Sequence, residues 1–185
     1  MHLRRCLGDP HPGNYLLCPD GRVAFLDYGL MRTIEPDYLE REQALARAVS
    51  AGDAAAVHAG LAALGYLPAP ADFESERLLA HLATAGQWYF EPGFRRLSPD
   101  YVRETLEVGS SPRSPWFEQM RRQTIPPQAL LIRRMEGLVF SVLGELRAGG
   151  DWAALAREFF AGEPASTPLG EQDAAFWGAR SPVSA

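Results

Sequence analysis

The chain has 185 residues, 46% of them hydrophobic and 22% charged, a globular composition that excludes disorder along the whole length. Its net charge of −5 argues against nucleic-acid binding through a general basic surface. All 18 basic residues are arginine, so the chain alone cannot complete a reaction that requires lysine. Two cysteines are too few for a disulfide scaffold, and no uncharged run is long enough to predict a membrane span.

Two short apolar runs, residues 15–18 and 23–26, stand near the N-terminus. Between them lies the turn-forming sequence Pro19-Asp20-Gly21-Arg22. Short β-forming runs on either side of such a turn predict a tight β-hairpin.

Helix-forming residues dominate after Pro36. The capping and proline signals predict helices over 39–51, from Asp53 to Gly65, from Asp72 to about 88, from Ser98-Pro99, from Pro126-Pro127 to Gly149-Gly150, and from Asp151 to about 160. The segment 162–185 is rich in Pro, Ser, Gly and Ala and is expected to be disordered. The predicted class is therefore mainly α (α+β), with one hairpin, in a single domain over 1–161.

Polar, chemistry-bearing residues concentrate at the two ends of the predicted hairpin. The first loop (residues 8–14) reads Gly8-Asp9-Pro10-His11-Pro12-Gly13-Asn14, and the second loop (residues 26–30) begins with Leu26-Asp27-Tyr28-Gly29. Because a hairpin brings its two ends together, Asp27 is expected to lie near Asn14 and Asp9. A purely structural interpretation stays open, since Asp, Asn, Gly and Pro also favour turns.

This combination of residues suits phosphoryl transfer. Mg²⁺ prefers hard oxygen ligands and binds with few protein side chains, so the Asn14 amide and the Asp27 carboxylate are predicted metal ligands. Asp9 would then face the γ-phosphate and orient or deprotonate the attacking hydroxyl group or water.

The sequence GDPHPGN followed by PDGRVAFLDYG resembles the UbiB/AarF-type atypical kinases, known as the ADCK group in animals. The resemblance extends over roughly residues 7–160 and implies the C-lobe of a protein-kinase-like domain. It further implies ATP and Mg²⁺ as cofactors and a link to isoprenoid quinone and lipid metabolism. By resemblance, Asp9 is the catalytic-loop aspartate and Asn14 and Asp27 bind the metal. Gly29, His11 and Gly13 complete the predicted cofactor-binding set.

The chain departs from the family pattern at two points. Leu7 stands where the family usually has a histidine that braces the loop. Only eight residues precede Asp9, so the nucleotide loop, the strand lysine and its glutamate partner of an N-lobe are expected to be missing. The predicted domain is accordingly partial, with the loops and hairpin in 1–34 and a helical part in 35–161.

Three functional interpretations stay open, and with them the question whether the chain is itself an enzyme. The chain is one half of an ATP/Mg²⁺-dependent kinase or ATPase, a non-catalytic remnant that binds a partner, or a small-molecule kinase of the aminoglycoside phosphotransferase type. The expected partners are ATP once an N-lobe is supplied, the missing N-terminal segment, or a full-length relative. The expected location is the cytoplasm, with at most peripheral association at the inner face of the membrane.

Three features outside the loops receive structural interpretations. The pair Arg133-Arg134 is expected to form salt bridges within the protein or a solvated face. The aromatic residues around Trp88 and Tyr89 could line a pocket, but helix packing is favoured. His81 is predicted to be a surface residue.

Overall fold

The computed structural model describes residues 4–108 and 111–179. Its helices are α1 (Pro36–Ala51), α2 (Ala54–Leu64), α3 (Ser75–Ala85), α4 (Gln87–Phe90), α5 (Pro99–Val108), α6 (Phe117–Met120), α7 (Leu130–Glu145), α8 (Trp152–Phe160) and α9 (Pro168–Gly178). Its strands are β1 (Arg5–Leu7), β2 (Tyr15–Leu17), β3 (Val23–Phe25), β4 (Met31–Thr33), β5 (Arg95–Arg96) and β6 (Gly149–Gly150). The predicted class, mainly α with a small β part, is confirmed.

The first four strands form two nested antiparallel pairs. The inner pair, β2 with β3, sets Leu17 opposite Val23 and confirms the predicted hairpin. The outer pair, β1 with β4, sets Leu7 opposite Met31 and was not predicted, because each strand has only three residues. Each of the two loops therefore connects a strand of the outer pair to a strand of the inner pair, so that both ends of each loop are held by strand pairing.

Several helix ends confirm the predicted capping residues. The Asp53 and Asp151 carboxylates each accept a backbone hydrogen bond of 2.9 Å at the start of α2 and α8. The Ser98 hydroxyl accepts from the Tyr101 amide, 3.2 Å, at the start of α5. Gly65 ends α2 with φ of +89°, a left-handed conformation that favours glycine.

Other boundaries differ from the prediction. Asp72 does not cap α3 but ends a 3₁₀ turn, Pro70–Asp72. The predicted helix to residue 88 is broken at Gly86, where a Cβ would lie 2.6 Å from the Phe90 ring. The helix predicted from Pro126 to Gly149 is also shorter, because α7 begins at Leu130 and the glycines pair as β6.

The C-terminal segment that was expected to be disordered contains α9. The Thr167 hydroxyl accepts a hydrogen bond from the Gly170 amide, 3.0 Å, and Pro168 occupies the first helical position. The Ser166 amide donates to Glu158 at 2.6 Å, which ties the segment to α8. Thr167-Pro168 is a helix-start signal that could have predicted this element; residues 180–185 lie outside the described residues.

Among residues 4–108 and 111–179, buried side chains form three clusters, and α7 or the turn before it contributes to each. The first cluster lies between α1, α2 and α3 and includes Ala129. The second joins Cys6 and Ile34, at the outer strand pair, to Ile132 of α7. The third packs Phe140 of α7 on the segment around α5. The second cluster matters most for the loops, because it fixes the outer strand pair against α7.

His81 corrects a sequence expectation, since it is 7% exposed and stacks on Trp116 with ring centroids 5.6 Å apart. Burial lowers the pKa of its imidazole. Within residues 4–108 and 111–179, no helix has both the length and the hydropathy needed to cross a membrane.

Candidate functional site

The two loops are joined at both ends by backbone hydrogen bonds. The Gly8 amide donates to the Leu30 carbonyl at 2.7 Å, which extends the pairing of the outer strands. The Leu26 amide donates to the Asn14 carbonyl at 2.9 Å, which extends the pairing of the hairpin. Asp27 therefore directly follows a residue that pairs with Asn14, and the expected proximity of its side chain to Asn14 and Asp9 stays a prediction.

Asp9 is held from a distant part of the sequence. Its Oδ1 lies 3.2 Å from a guanidinium nitrogen of Arg134, whose Nε also donates to the Gly8 carbonyl at 3.0 Å. The Asp9 side chain is 38% exposed, so one carboxylate is both anchored and accessible. Arg134 was not predicted as a site residue. A separation of 125 residues leaves no local signal by which the sequence could indicate the contact.

Asn14 is oriented by the backbone of the first loop. Its side-chain Nδ2 donates to the Asp9 carbonyl over a long contact of 3.4 Å. Because the amide nitrogen faces this carbonyl, the amide oxygen is the atom that remains for a cation.

Asp27 has the geometry of an Asx turn. Its Oδ1 accepts a hydrogen bond of 2.7 Å from the Gly29 amide, and its side chain lies on an exposed loop. A Cβ at Gly29 would lie 3.1 Å from this oxygen, so the close approach explains glycine here. One carboxylate oxygen is thereby fixed by the backbone.

His11 and Gly13 shape the first loop. The His11 Nδ1 accepts a hydrogen bond of 3.0 Å from the Gly13 amide and caps the 3₁₀ turn Pro12–Asn14. This contact gives His11 a structural task, and the predicted cofactor-binding roles of the two residues stay predictions.

The chemistry of the donor set fits Mg²⁺. One carboxylate, from Asp27, and one amide oxygen, from Asn14, are hard ligands of the kind that this cation takes alongside water and phosphate oxygens. In the part of the chain that the structure describes, no group of three or more His, Cys, Asp and Glu residues could form a metal centre. An ion at the loops would thus depend on ligands from a bound phosphate and water.

Comparison with known protein families confirms the predicted resemblance for the N-terminal part of the chain, and its extension to about residue 160 stays a prediction. Residues 4–60 match the model of the ABC1 atypical kinase-like domain. This segment contains both loops, the two strand pairs and the first helix.

Two curated proteins share shorter segments with the chain. An uncharacterized protein of Synechocystis sp. is 64% identical over 28 residues, which is 15% of this chain and 4% of that protein. "Protein ACTIVITY OF BC1 COMPLEX KINASE 3, chloroplastic" of Arabidopsis thaliana is 70% identical over 23 residues, or 12% of this chain and 3% of that protein. The matched segments are therefore small fractions of these much longer relatives.

Proposed function

We propose that this chain carries the catalytic-loop and metal-loop half of an ATP- and Mg²⁺-dependent phosphoryl-transfer site of the UbiB/AarF type. The observation that carries the proposal is the placement of Asp9, Asn14 and Asp27 on two loops joined by hydrogen bonds at both ends. The match of residues 4–60 to an atypical kinase-like domain supports the reaction class.

Each of the three side chains has one task in the proposed reaction. Asp9 orients the attacking hydroxyl group or water and accepts its proton, while Arg134 holds the Asp9 carboxylate in place. The Asn14 amide oxygen and the Asp27 carboxylate hold Mg²⁺, which when bound would neutralise charge on the transferred phosphoryl group. Asn14 also fixes the first loop through the Asp9 carbonyl.

The proposed reaction requires a lysine from outside these 185 residues. Kinase-type phosphoryl transfer uses a lysine on the nucleotide phosphates, and every basic residue here is arginine. The hairpin surface supports the presence of a covering segment. Leu17 is 78% exposed, its cross-strand partner Val23 is 53% exposed, and Phe25 on the same face is 48% exposed. Clustered apolar exposure of this kind marks interaction sites. The link to quinone and lipid metabolism, and a place at the inner membrane face, remain expectations from the resemblance.

Paramagnetic broadening of amide NMR signals by Mn²⁺ tests the metal site without requiring turnover. We expect substoichiometric Mn²⁺ to broaden the amide signals of Asn14, Asp27 and Gly29 first, and excess Mg²⁺ to restore them. The variant Asp27→Asn should weaken Mn²⁺ binding by at least about tenfold, since even outer-shell changes at metal sites cost roughly 10–100-fold.

Asp20→Asn is the matched control, because Asp20 lies at the hairpin turn and pairs there with Arg22. It should leave Mn²⁺ binding unchanged. Broadening centred on the turn instead of the loops, or equal loss in both variants, contradicts the proposal. The same Asp27→Asn variant should abolish ATP turnover once a lysine-bearing nucleotide segment is supplied.

A further inference from the structure

A cavity of about 660 Å³ lies between α3, α4, α5, α7 and α8, away from the loops. This volume is within the range of small-molecule sites, about 300–1,000 Å³. A smaller cavity of about 290 Å³ adjoins it and shares Arg133 and Glu136 with it. Aromatic and aliphatic side chains form most of the wall of the larger cavity, and the aromatic ones are Trp88, Tyr89, Phe140, Trp152 and Phe159.

Acidic groups outnumber basic groups at this cavity. Arg133 and Glu136 are the charged residues that line the larger cavity, and Glu42 lines the smaller one. Arg133 forms ion pairs with Glu42 and, at 3.0 Å, with Glu136. Two carboxylates thus share one guanidinium group, and the local balance is one negative charge.

Of the two carboxylates, Glu136 is the one available to a ligand. Glu42 is 14% exposed and also accepts a hydrogen bond of 2.8 Å from the Tyr38 hydroxyl. Half of the Glu136 side chain remains accessible, although desolvation raises the pKa of its carboxyl group. A positive charge in the cavity would offset the free-energy cost of keeping the Glu136 carboxylate ionised there, and an anion would increase that cost.

The cavity is distinct from the proposed phosphoryl-transfer site because neither Arg134 nor any residue of the two loops lines it. Arg134 contacts Asp9, whereas Glu136 and Gly137 line the cavity. A Cβ at Gly137 would meet no atom within 4 Å, so the wall is open at this point.

We propose that this cavity binds an amphiphilic amine, with its apolar body against Trp88, Trp152 and Phe159 and its ammonium group on the Glu136 carboxylate. An ammonium group restores the charge balance that the Glu42, Arg133 and Glu136 cluster lacks. Aromatic faces add a cation–π attraction, which desolvation strengthens. An alcohol of the same length would keep the apolar contacts but lose both the charge pairing with Glu136 and the cation–π attraction.

Binding of three matched probes, nonylamine, nonanol and nonanoate, to the full chain tests this inference. Isothermal titration calorimetry gives the affinities, and circular dichroism verifies that the fold persists at each probe concentration. We expect nonylamine to bind about tenfold or more tightly than nonanol, since charge-assisted contacts are roughly twice as strong as neutral ones, and nonanoate to bind most weakly.

Three variants locate the binding. Glu136→Gln should reduce nonylamine affinity to that of nonanol and leave nonanol unchanged. Glu145→Gln, at the exposed end of the same helix, should change neither. Gly137→Leu should fill the open wall and weaken both. Equal affinities of amine and alcohol, or an amine affinity that Glu136→Gln leaves intact, overturn the proposal. Failure of all three probes to bind also overturns it.

Discussion

At the scale of single residues, the first loop depends on a contact that spans the sequence. Arg134 binds both the Asp9 carboxylate and the Gly8 carbonyl, and it does so from the middle of a long helix. It is therefore a positioning residue for Asp9. Asn14 and Gly13 complete the loop through contacts with residues only a few positions away.

Replacing Arg134 with alanine should loosen the first loop more than it destabilises the fold. The lost ion pair is half-exposed and the lost hydrogen bond is neutral at its acceptor, so we expect about 1 kcal/mol of destabilisation in urea unfolding. Hydrogen exchange at the Gly8 amide should accelerate, because its bond to the Leu30 carbonyl loses support. Arg22→Ala, which breaks an ion pair within the hairpin turn, is the control. Identical exchange in both variants would remove Arg134 from its positioning role.

Ionisation of Tyr66 should make the stability of the fold decrease with pH in the alkaline range. Burial raises its pKa to about 12, and the negative charge of Glu42 adds to the shift while Arg133 opposes it. A folded pKa above the unfolded value near 10 gives stability that is present below pH 10 and lost as pH rises toward 12.

Between pH 9 and pH 11 the free energy of unfolding of the parent chain should fall as Tyr66 ionises in the unfolded state. In Tyr66→Phe we expect this fall to be smaller by about 1 kcal/mol, since each pKa unit corresponds to about 1.4 kcal/mol. Urea midpoints measured across this range provide the comparison. Parallel pH profiles for the two chains would show that Tyr66 ionises normally in the folded state.

At the scale of elements, α7 connects the outer strand pair to α5. It packs on the outer strand pair through Ile132 and on α5 at Gly144. Arg134 and Glu136 place its polar groups at the first loop and at the cavity. Its two glycines have opposite environments, which makes them a matched test of this packing.

Alanine at these two positions should have opposite effects on stability. Gly137→Ala adds a Cβ into open space and improves helix propensity, so we expect stabilisation of about 0.5–1 kcal/mol. Gly144→Ala places a Cβ 2.6 Å from a methyl carbon of Val102, so we expect destabilisation of about 1–3 kcal/mol. Thermal unfolding of both variants measures the difference. Equal shifts in Tm for the two variants would mean that α5 and α7 pack too loosely for the Gly144 Cβ to clash with Val102.

At the scale of the whole molecule, the apolar surface is unevenly distributed. The hairpin and second loop expose several large apolar side chains, among them Leu17, Val23 and Tyr28. Such a surface favours association when nothing covers it. The folded chain therefore exposes an apolar surface beside the proposed site.

We expect the purified chain to self-associate as its concentration rises, and the double variant Leu17→Lys/Val23→Glu to remain monomeric. The two positions face each other across the hairpin, so opposite charges there should preserve the strand pairing. Sedimentation velocity over a wide concentration range is the measurement. Leu146→Lys, at an exposed apolar residue outside the hairpin, should not prevent association. If the parent chain stays monomeric over the whole concentration range, the hairpin surface does not drive self-association.

Local signals in the sequence determined the hairpin, its two loops and the starts of α2, α5 and α8. Asp53, Asp151 and Ser98 cap helices through atoms three residues away, and Leu17 pairs with Val23 across a short turn. Contacts of this range are encoded by neighbouring residues, which is why pattern and capping chemistry predict them. The first loop could be related to a kinase-like family for the same reason, since its residues are contiguous.

Tertiary structure alone decided the contacts between distant segments. Arg134 reaches Asp9 across 125 positions, His81 is buried under Trp116, and Arg133 reaches Glu42 across 91 positions. None of these residues has a neighbour in sequence that indicates its partner. Their positions follow from how α7 packs on the outer strand pair and on α1, a result of burying side chains from the whole chain together.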